Sequence, residues 1–228
     1  MSPKTEKKQY SFMQYLLAMM AACLVFAIMQ GIHDNYGIML NGIVAHTGID
    51  YASVSFVIAV GQILYGATQP IFGMLALKKS NAFVMMCGIV FMAVGLIVTP
   101  FCSGWWSLLI FFGILLPAGT GALCFGIVMG AVAPIIGEKR AAVASGIIQA
   151  SAGIGDALMS PLLQQFTDWR GVSFSMPVFA IPILLMLPVV FWLGNKRKKI
   201  KADNGENLPD EPKSESLSEI LHFAMRDC

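Results

Sequence analysis

The feature that most constrains this chain is a stretch of 58 residues without a charged side chain. Asp, Glu, Lys and Arg are all absent between Ser80 and Gly137. A water-soluble domain carries about 25% charged residues, whereas they make up 12% of this 228-residue chain, and 57% of its residues are hydrophobic. These values exclude the soluble, disordered and fibrous classes. The sequence predicts an integral membrane protein.

Six apolar segments are candidates to cross a bilayer, because each spanning helix needs about 20 mostly apolar residues. Asp50 is well placed to cap the second one. We therefore predict an all-α membrane protein with six transmembrane helices. The predicted spans run from Phe12 to the late thirties or early forties, from Tyr51 to Ala76, from Phe83 to Val98, from Trp106 to Ile136, from Ala141 to Phe166 and from Phe174 to Leu193.

Lys and Arg in the short loops predict the orientation of these helices, since such residues are enriched in cytoplasmic loops. Arg170 is the only basic residue predicted on one side. All other basic loops fall on the opposite side, so we predict an inner or plasma membrane location with both termini cytoplasmic. Those loops are the N-terminal segment, Lys78-Lys79, Lys139-Arg140 and the cluster from Lys196 to Lys201.

The composition changes after Leu193, which predicts two regions. Residues 1–195 form the six-helix transmembrane domain. Residues 196–228 form a cytoplasmic segment that begins with a basic run suited to anionic headgroups and continues as a polar linker. The helical pattern that starts at Ser218 is the predicted start of a missing second half.

The five cysteines are widely spaced and form no ligand pattern, so we expect small buried hydrophobic residues and no disulfide framework. We predict no metal, no cofactor and no nucleic-acid partner. The expected partners are the lipid bilayer and a small-molecule substrate.

Two acidic residues, Asp34 and Asp156, lie inside predicted spans. A carboxylate in hydrocarbon is costly and is kept mainly where it lines a pathway or pairs with another group. Both lie in the outer halves of their helices, so they are predicted to face one cavity. The alternatives are that Asp156 is a neutral acid satisfied by neighbouring helices and that Asp34 is simply solvated.

Polar residues at three- and four-residue spacing extend each acidic position into a stripe, and three such stripes predict a shared hydrophilic cavity. The stripes are Gln30, His33, Asp34 and Asn41 on the first helix, Ser55, Gln62, Tyr65 and Gln69 on the second, and Ser145, Gln149, Ala152, Asp156 and Ser160 on the fifth. His33 is either a proton relay or a satisfied interfacial imidazole. The candidate substrate and proton pathway consists of Gln30, His33, Asp34, Gln62, Gln149 and Asp156.

A second face of the fifth helix carries only small residues, which suits close helix packing. It consists of Gly146, Ala150, Gly153 and Ala157.

The loop after the second helix, Gly73-Met-Leu75-Ala76-Leu77-Lys78-Lys79-Ser80, resembles the major facilitator superfamily signature G-x-L-A-D-R-x-G-R-[KR]. The resemblance makes Gly73, Leu75, Lys78 and Lys79 a candidate cytoplasmic gating loop. Leu77 stands where the family has aspartate and Ser80 where it has the second glycine, so the aspartate–arginine contact of the family is not carried over.

A broader similarity covers about residues 10–195. Arg140 to Gly146, Gly153-Ile-Gly155, Pro161 and Trp169-Arg170 look like the fifth helix and following loop of organic-anion members, including the oxalate/formate and monocarboxylate groups. Pro117 to Gly121 lies where those members have a Gly-rich fourth helix. The fourth-helix arginine of many proton-coupled members has no counterpart.

This resemblance implies the N-terminal six-helix half of a secondary transporter. Such transporters bind solute at the midplane between two halves and work by alternating access. The implied substrate is a small organic solute, with carboxylates among the candidates, moved with or against a proton or another anion. Asp156 is the candidate protonatable group. The partner is then a second six-helix half or a second copy, and the chain is a truncated or half transporter.

Two alternatives remain open at this point. Gly153-Ile154-Gly155-Asp156 spells the GxGD of intramembrane aspartyl proteases, which need paired carboxylates, and Asp34 is available as the second acid. Against this, His33 precedes Asp34 where a tyrosine is usual, and no PAL motif follows. The other alternative is an inert or regulatory membrane subunit. The sequence favours a transporter over an enzyme.

Overall fold

The fold was taken from a computed structural model, which describes the backbone of residues 12–203 and the side chains of residues 13–137 and 140–195. These residues form helices and no strand, which confirms the all-α class. The helices are α1 Phe12–His33, α2 Tyr36–Thr47, α3 Tyr51–Lys78, α4 Asn81–Val98, α5 Trp105–Leu108, α6 Leu116–Gly121, α7 Phe125–Ile136, α8 Glu138–Arg170, α9 Val172–Leu184 and α10 Met186–Asp203. A 3-10 turn covers Thr99–Phe101 and a π-helical segment covers Leu109–Leu115.

Six stretches of the described residues are long and apolar enough to cross a membrane, which confirms the predicted number of spans. The structure lengthens most of them by a few residues. They are Met13–His33, Tyr51–Lys78, Asn81–Phe101, Trp105–Ile136, Arg140–Arg170 and Val172–Asn195.

The first predicted helix is in fact two helices, separated at Asp34 and Asn35. The side-chain amide of Asn35 donates to the carbonyl of Gly31 at 2.7 Å. A side chain that bonds the backbone in this way offers an alternative to the helical ladder. The second piece, α2, ends at Gly48, whose φ of 69° suits a residue without a Cβ.

The fourth span is also discontinuous. It passes through α5, the π-helical segment and α6, and then breaks at Ala122 to Cys124 before α7 begins. Gly119 lets α6 lie against α4, because a Cβ there would be 2.6 Å from the amide nitrogen of Met92 and 2.8 Å from the carbonyl oxygen of Gly88. Close backbone approach through small residues is typical of membrane helices.

The closest crossing between α1 and α8 joins Gly31 to Gly155. A Cβ on Gly31 would lie 2.6 Å from the carbonyl oxygen of Gly155, and one on Gly155 would overlap the carbonyl oxygen of Ala27. The small-residue face that the sequence predicts for close packing is a different one. Its four residues (Gly146, Ala150, Gly153 and Ala157) are exposed, and a Cβ on Gly146 or Gly153 would meet no atom within 4 Å.

Polar caps and bonds fix several helix ends. The Asp50 carboxylate accepts from the amide of Ser53 at 2.8 Å and from its hydroxyl at 2.8 Å, so the predicted cap is present. These bonds hold the pKa of Asp50 below its ordinary value. At the start of α4, buried Asn81 donates its side-chain amide to the carbonyl of Ile127 at 3.0 Å and so ties α4 to α7.

The last helix crosses the predicted domain boundary at residue 195. Helix α10 continues without interruption from Met186 to Asp203 and includes the basic run. The rest of the predicted linker, and the predicted second start at Ser218, lie outside the described residues.

A candidate functional site at two broken helices

The breaks in the first and fourth spans meet at one cavity of about 390 Å³. Asp34 comes from the first break, and Cys124, Phe125 and Gly126 come from the second. Helices α1, α3 and α8 supply the remaining walls. The complete lining is Phe26, Gln30, Asp34, Tyr65, Gln69, Cys124, Phe125, Gly126, Gln149 and Ala152.

Asp34 is held from one side and accessible from the other. The side-chain amide of Gln30 donates to both carboxylate oxygens at 2.8 Å, and Nδ1 of His33 lies 2.9 Å from Oδ1. The Asp34 side chain is nevertheless 42% exposed. Its orientation is therefore fixed while its oxygens stay available to a molecule in the cavity.

His33 connects Asp34 to the interior of the bundle. Its side chain is only 4% exposed, and its ring lies between those of Tyr36 and Tyr65, with centroid distances of 5.2 and 4.1 Å. Nδ1 is the atom that meets Asp34, whereas Nε2 is buried and has no hydrogen-bond partner among the described residues. A neutral ring with its proton on Nδ1 is sufficient to donate to Asp34.

Asp156 approaches the same cluster from α8. Its neighbour Gly155 makes the close crossing with Gly31 of α1, and the Asp156 carboxyl group interacts with Asp34 and with His33. The residue is half-buried, and its Oδ1 is buried without a hydrogen-bond partner among the described residues. A buried polar atom without a partner is costly, so this oxygen marks an incomplete site.

The sequence-predicted pathway residues do not all come together. Gln30, Asp34 and Gln149 line the cavity, and His33 and Asp156 adjoin Asp34. Gln62 is exposed and does not line the cavity. The same stripe of α3 reaches the cavity one and two helical turns later, through Tyr65 and Gln69.

The wall formed at the start of α7 was not predicted. Cys124, Phe125 and Gly126 carry no charge and break no apolar pattern, so periodicity gives no signal for them. The available signal was the glycine pair Gly119 and Gly121 just before them. From the sequence we compared those glycines with a Gly-rich fourth helix and did not predict the break that follows them at Ala122 to Cys124.

The candidate gating loop lies away from the cavity. Lys78 and Lys79 are exposed where α3 turns into α4, nine residues beyond Gln69 and so about 14 Å further along the helix. Leu77, at the family's aspartate position, is 79% exposed. The loop is thus a surface feature at one end of the spans.

The charge of the site is acidic. Among the described residues no Lys or Arg lines the cavity, and the acidic side chains at or beside it are Asp34, which directly follows the first span, and Asp156, which lies inside the fifth. The described residues also contain no group of three or more His, Cys, Asp or Glu side chains that could hold a metal ion.

The comparisons with known proteins agree with this architecture. The family model for the major facilitator superfamily matches residues 10–225, and the chain belongs to that superfamily. No curated protein matches the chain. The protein is therefore a multi-pass membrane protein of a transporter family and not an enzyme. The aspartyl-protease alternative fails on this ground, although the two acids do lie together as it requires.

Proposed function

We propose that this protein moves a small organic solute across the membrane by alternating access, with Asp156 as the group that gains and loses a proton. The observation that supports this most directly is the meeting of two broken helices at one cavity that Asp34 lines, with the carboxyl group of Asp156 interacting with Asp34 beside it. Discontinuous helices at the binding site are a recurrent device of secondary transporters.

Each pathway residue has a role in this proposal. Asp34 is the cavity-facing acid, oriented by Gln30 and His33. Gln149 and Gln69 supply amide groups for the solute. His33 passes a proton between Asp34 and the buried side of the cluster. Gln62, which lies outside the cavity, would act only at an earlier or later stage of solute passage.

We further propose that the cavity is one half of a complete site, and that a second six-helix unit covers it. Exposed residues on α3 and α8 support this, including the small-residue face of α8 and the cavity residue Gln149. The second unit is either a further segment of a longer protein or a second copy of this chain. In this proposal the chain lies in the cell membrane with both termini cytoplasmic, and the loop of Gly73, Leu75, Lys78 and Lys79 takes part in gating on that side.

A carboxylate is a second candidate for the solute class, and one observation favours it. The N-terminus of α7 borders the cavity through Phe125 and Gly126, and the N-terminal end of a helix attracts negative charge. The described cavity offers no basic side chain to an anion, so the covering unit would have to supply one.

The test is solute-dependent proton flux in proteoliposomes that contain the full chain and a pH-sensitive dye. Three probes of similar shape are added in turn: benzoate, phenyltrimethylammonium and benzyl alcohol. We expect one charged probe to elicit proton movement, and Asp156→Asn to abolish it. Asp168→Asn is the matched control, because Asp168 lies at the exposed end of the same helix. Flux that is unchanged in Asp156→Asn would refute the assignment of Asp156.

A further inference from the structure

The charge of the cavity constrains the class of solute that it can bind. Asp34 and Asp156 interact with each other, and no basic side chain among the described residues lines the space between the broken helices. His33 contributes one N–H to Asp34, which its neutral form can supply. The described part of the site therefore contains two acids and no fixed cation to balance them.

Two neighbouring carboxyl groups, one of them with a buried oxygen, are disfavoured as two free charges. Like charges at close range disfavour ionisation of both, and each ionised group needs a proton or a counter-cation. Asp34 has three hydrogen-bond contacts from Gln30 and His33, but the buried Oδ1 of Asp156 has none among the described residues. This oxygen is the position that a proton or a cationic group would satisfy.

The rest of the lining suits an organic cation better than a metal ion. Three aromatic rings (Phe26, Tyr65 and Phe125) line the cavity together with Asp34, and ring faces attract ammonium groups. Magnesium and calcium require six or more oxygen ligands, whereas the described residues hold no cluster of three metal-binding side chains.

We propose that the solute is an organic cation that carries an ammonium group, and that this cation competes with a proton for the Asp34–Asp156 pair. This inference depends on the proposed transport function and adds the substrate class to it. A carboxyl group cannot hold a proton and form an ion pair with an ammonium group at the same time. Cation binding therefore releases a proton, and the expected transport mode is exchange of protons for the cation.

The pH at which exchange occurs depends on every titratable group that faces the pair. These groups are His33 on α1, Tyr36 on α2, Tyr65 on α3 and Cys124 before α7, together with Asp34 and Asp156 themselves. None of them carries a fixed positive charge.

Binding to the purified full chain in lipid nanodiscs tests the inference directly. Phenyltrimethylammonium is the probe, because its charge is permanent and any released proton must come from the protein. Calorimetry gives the affinity, and a pH indicator in weakly buffered solution gives the proton count. We expect the cation to bind with proton release and to bind more weakly as the pH falls. Benzoate and benzyl alcohol, which share the ring, should bind at least about tenfold more weakly, a factor that corresponds to about 1.4 kcal/mol.

Variants of the two acids test which residues bind the cation and release the proton. Asp34→Asn and Asp156→Asn should each weaken cation binding by about tenfold or more and abolish proton release, whereas Asp168→Asn should leave both unchanged. Asp156→Glu retains the acid and should retain binding, which separates a lost charge from a misfolded protein. Tighter binding of benzoate than of the cation, or equal cation affinity in the wild type and both Asn variants, would overturn the inference.

The two levels of the proposal can fail separately. If benzoate elicits proton flux that depends on Asp156, the transport function stands and the cationic solute class is wrong. If the cation binds with proton release but neither charged probe elicits flux in proteoliposomes, the substrate class stands and transport by this chain is wrong.

Discussion

The third and fourth spans and the second and fifth spans (helices α3 and α8) are all apolar. The first pair is mostly buried inside the bundle, whereas the second pair is mostly exposed. In their most apolar windows, 56% and 61% of the residues of spans three and four are buried, compared with 17% and 22% for α3 and α8. The central spans have no charged residue and pack through Gly88, Gly95 and Gly119. Helices α3 and α8 place Gln69 and Gln149 at the cavity, and the small-residue face of α8 with Gly146 and Gly153 stays exposed. Apolar composition thus specifies insertion in the membrane, but it does not specify which helix forms the core.

The largest expected effect separates the two faces of α8. Gly155→Val should destabilise the bundle by about 1–3 kcal/mol or more, because a side chain there overlaps the backbone of Ala27. Gly153→Val lies two residues away, where a Cβ meets no atom within 4 Å, and should leave stability unchanged. Thermal unfolding of both variants in detergent checks this.

The Gly153→Val variant also tests whether a second unit covers the exposed face of α8. If a second unit covers the exposed face of α8, this variant should fold normally and lower solute-dependent proton flux. Equal stability of the two glycine variants would contradict the described α1–α8 crossing, whereas normal flux in Gly153→Val would count against a partner on this face.

A smaller effect is expected from the bond between α4 and α7 in the buried spans. Asn81→Leu removes the hydrogen bond to the carbonyl of Ile127 and should cost about 1 kcal/mol. Asn41→Leu is the control, because Asn41 is exposed and should change stability little. A larger loss in Asn41→Leu than in Asn81→Leu would show that burial in the fourth span does not control stability as described.

The smallest effect concerns the cap of α3, at the exposed end of the less buried region. Asp50→Ala removes the bonds from the Ser53 amide and hydroxyl, which lower the pKa of Asp50. Because the pKa is lower in the folded state, the stabilisation is present above the unfolded pKa and is lost as the pH falls through the folded pKa.

The difference in Tm between wild type and Asp50→Ala should therefore be small at neutral pH and should vanish well below the ordinary pKa of 3.8. A difference that grows on acidification would exclude this role of the carboxylate.

Much of the architecture was predictable because each signal is local. A run of about 20 apolar residues has to cross the bilayer wherever it lies in the chain, and an Asp before a helix accepts from its first turn whatever the rest of the fold does. The six spans and the Asp50 cap follow from such signals. The expectation that Asp34 and Asp156 serve one pathway stays a prediction, since it rests on the cost of a carboxyl group in hydrocarbon.

The features that the sequence did not predict share a physical cause. Which face of a helix is buried or lines a cavity depends on the helices that pack against it. The sequence predicted close packing for the face of α8 with Gly146 and Gly153, whereas the backbone of α1 lies against the face with Gly155. Periodicity placed Gln62 and Gln69 on one stripe, but the depth of the cavity admits only Gln69. The break at Asn35 required a side chain to bond the Gly31 carbonyl, which no hydropathy pattern detects.

The sequence by itself determined that the chain is a six-span membrane protein, that it resembles the major facilitator superfamily, and that it carries two acids in or next to its apolar segments. Hydrophobic transfer and the cost of burying charge depend on residue type alone, so they can be deduced from the order of amino acids. Only the tertiary structure determined that two helices break at the same cavity, that Asp34 and Asp156 interact with each other beside it, and that α3 and α8 remain exposed. These features depend on distances between residues far apart in the chain, and such distances are set by packing.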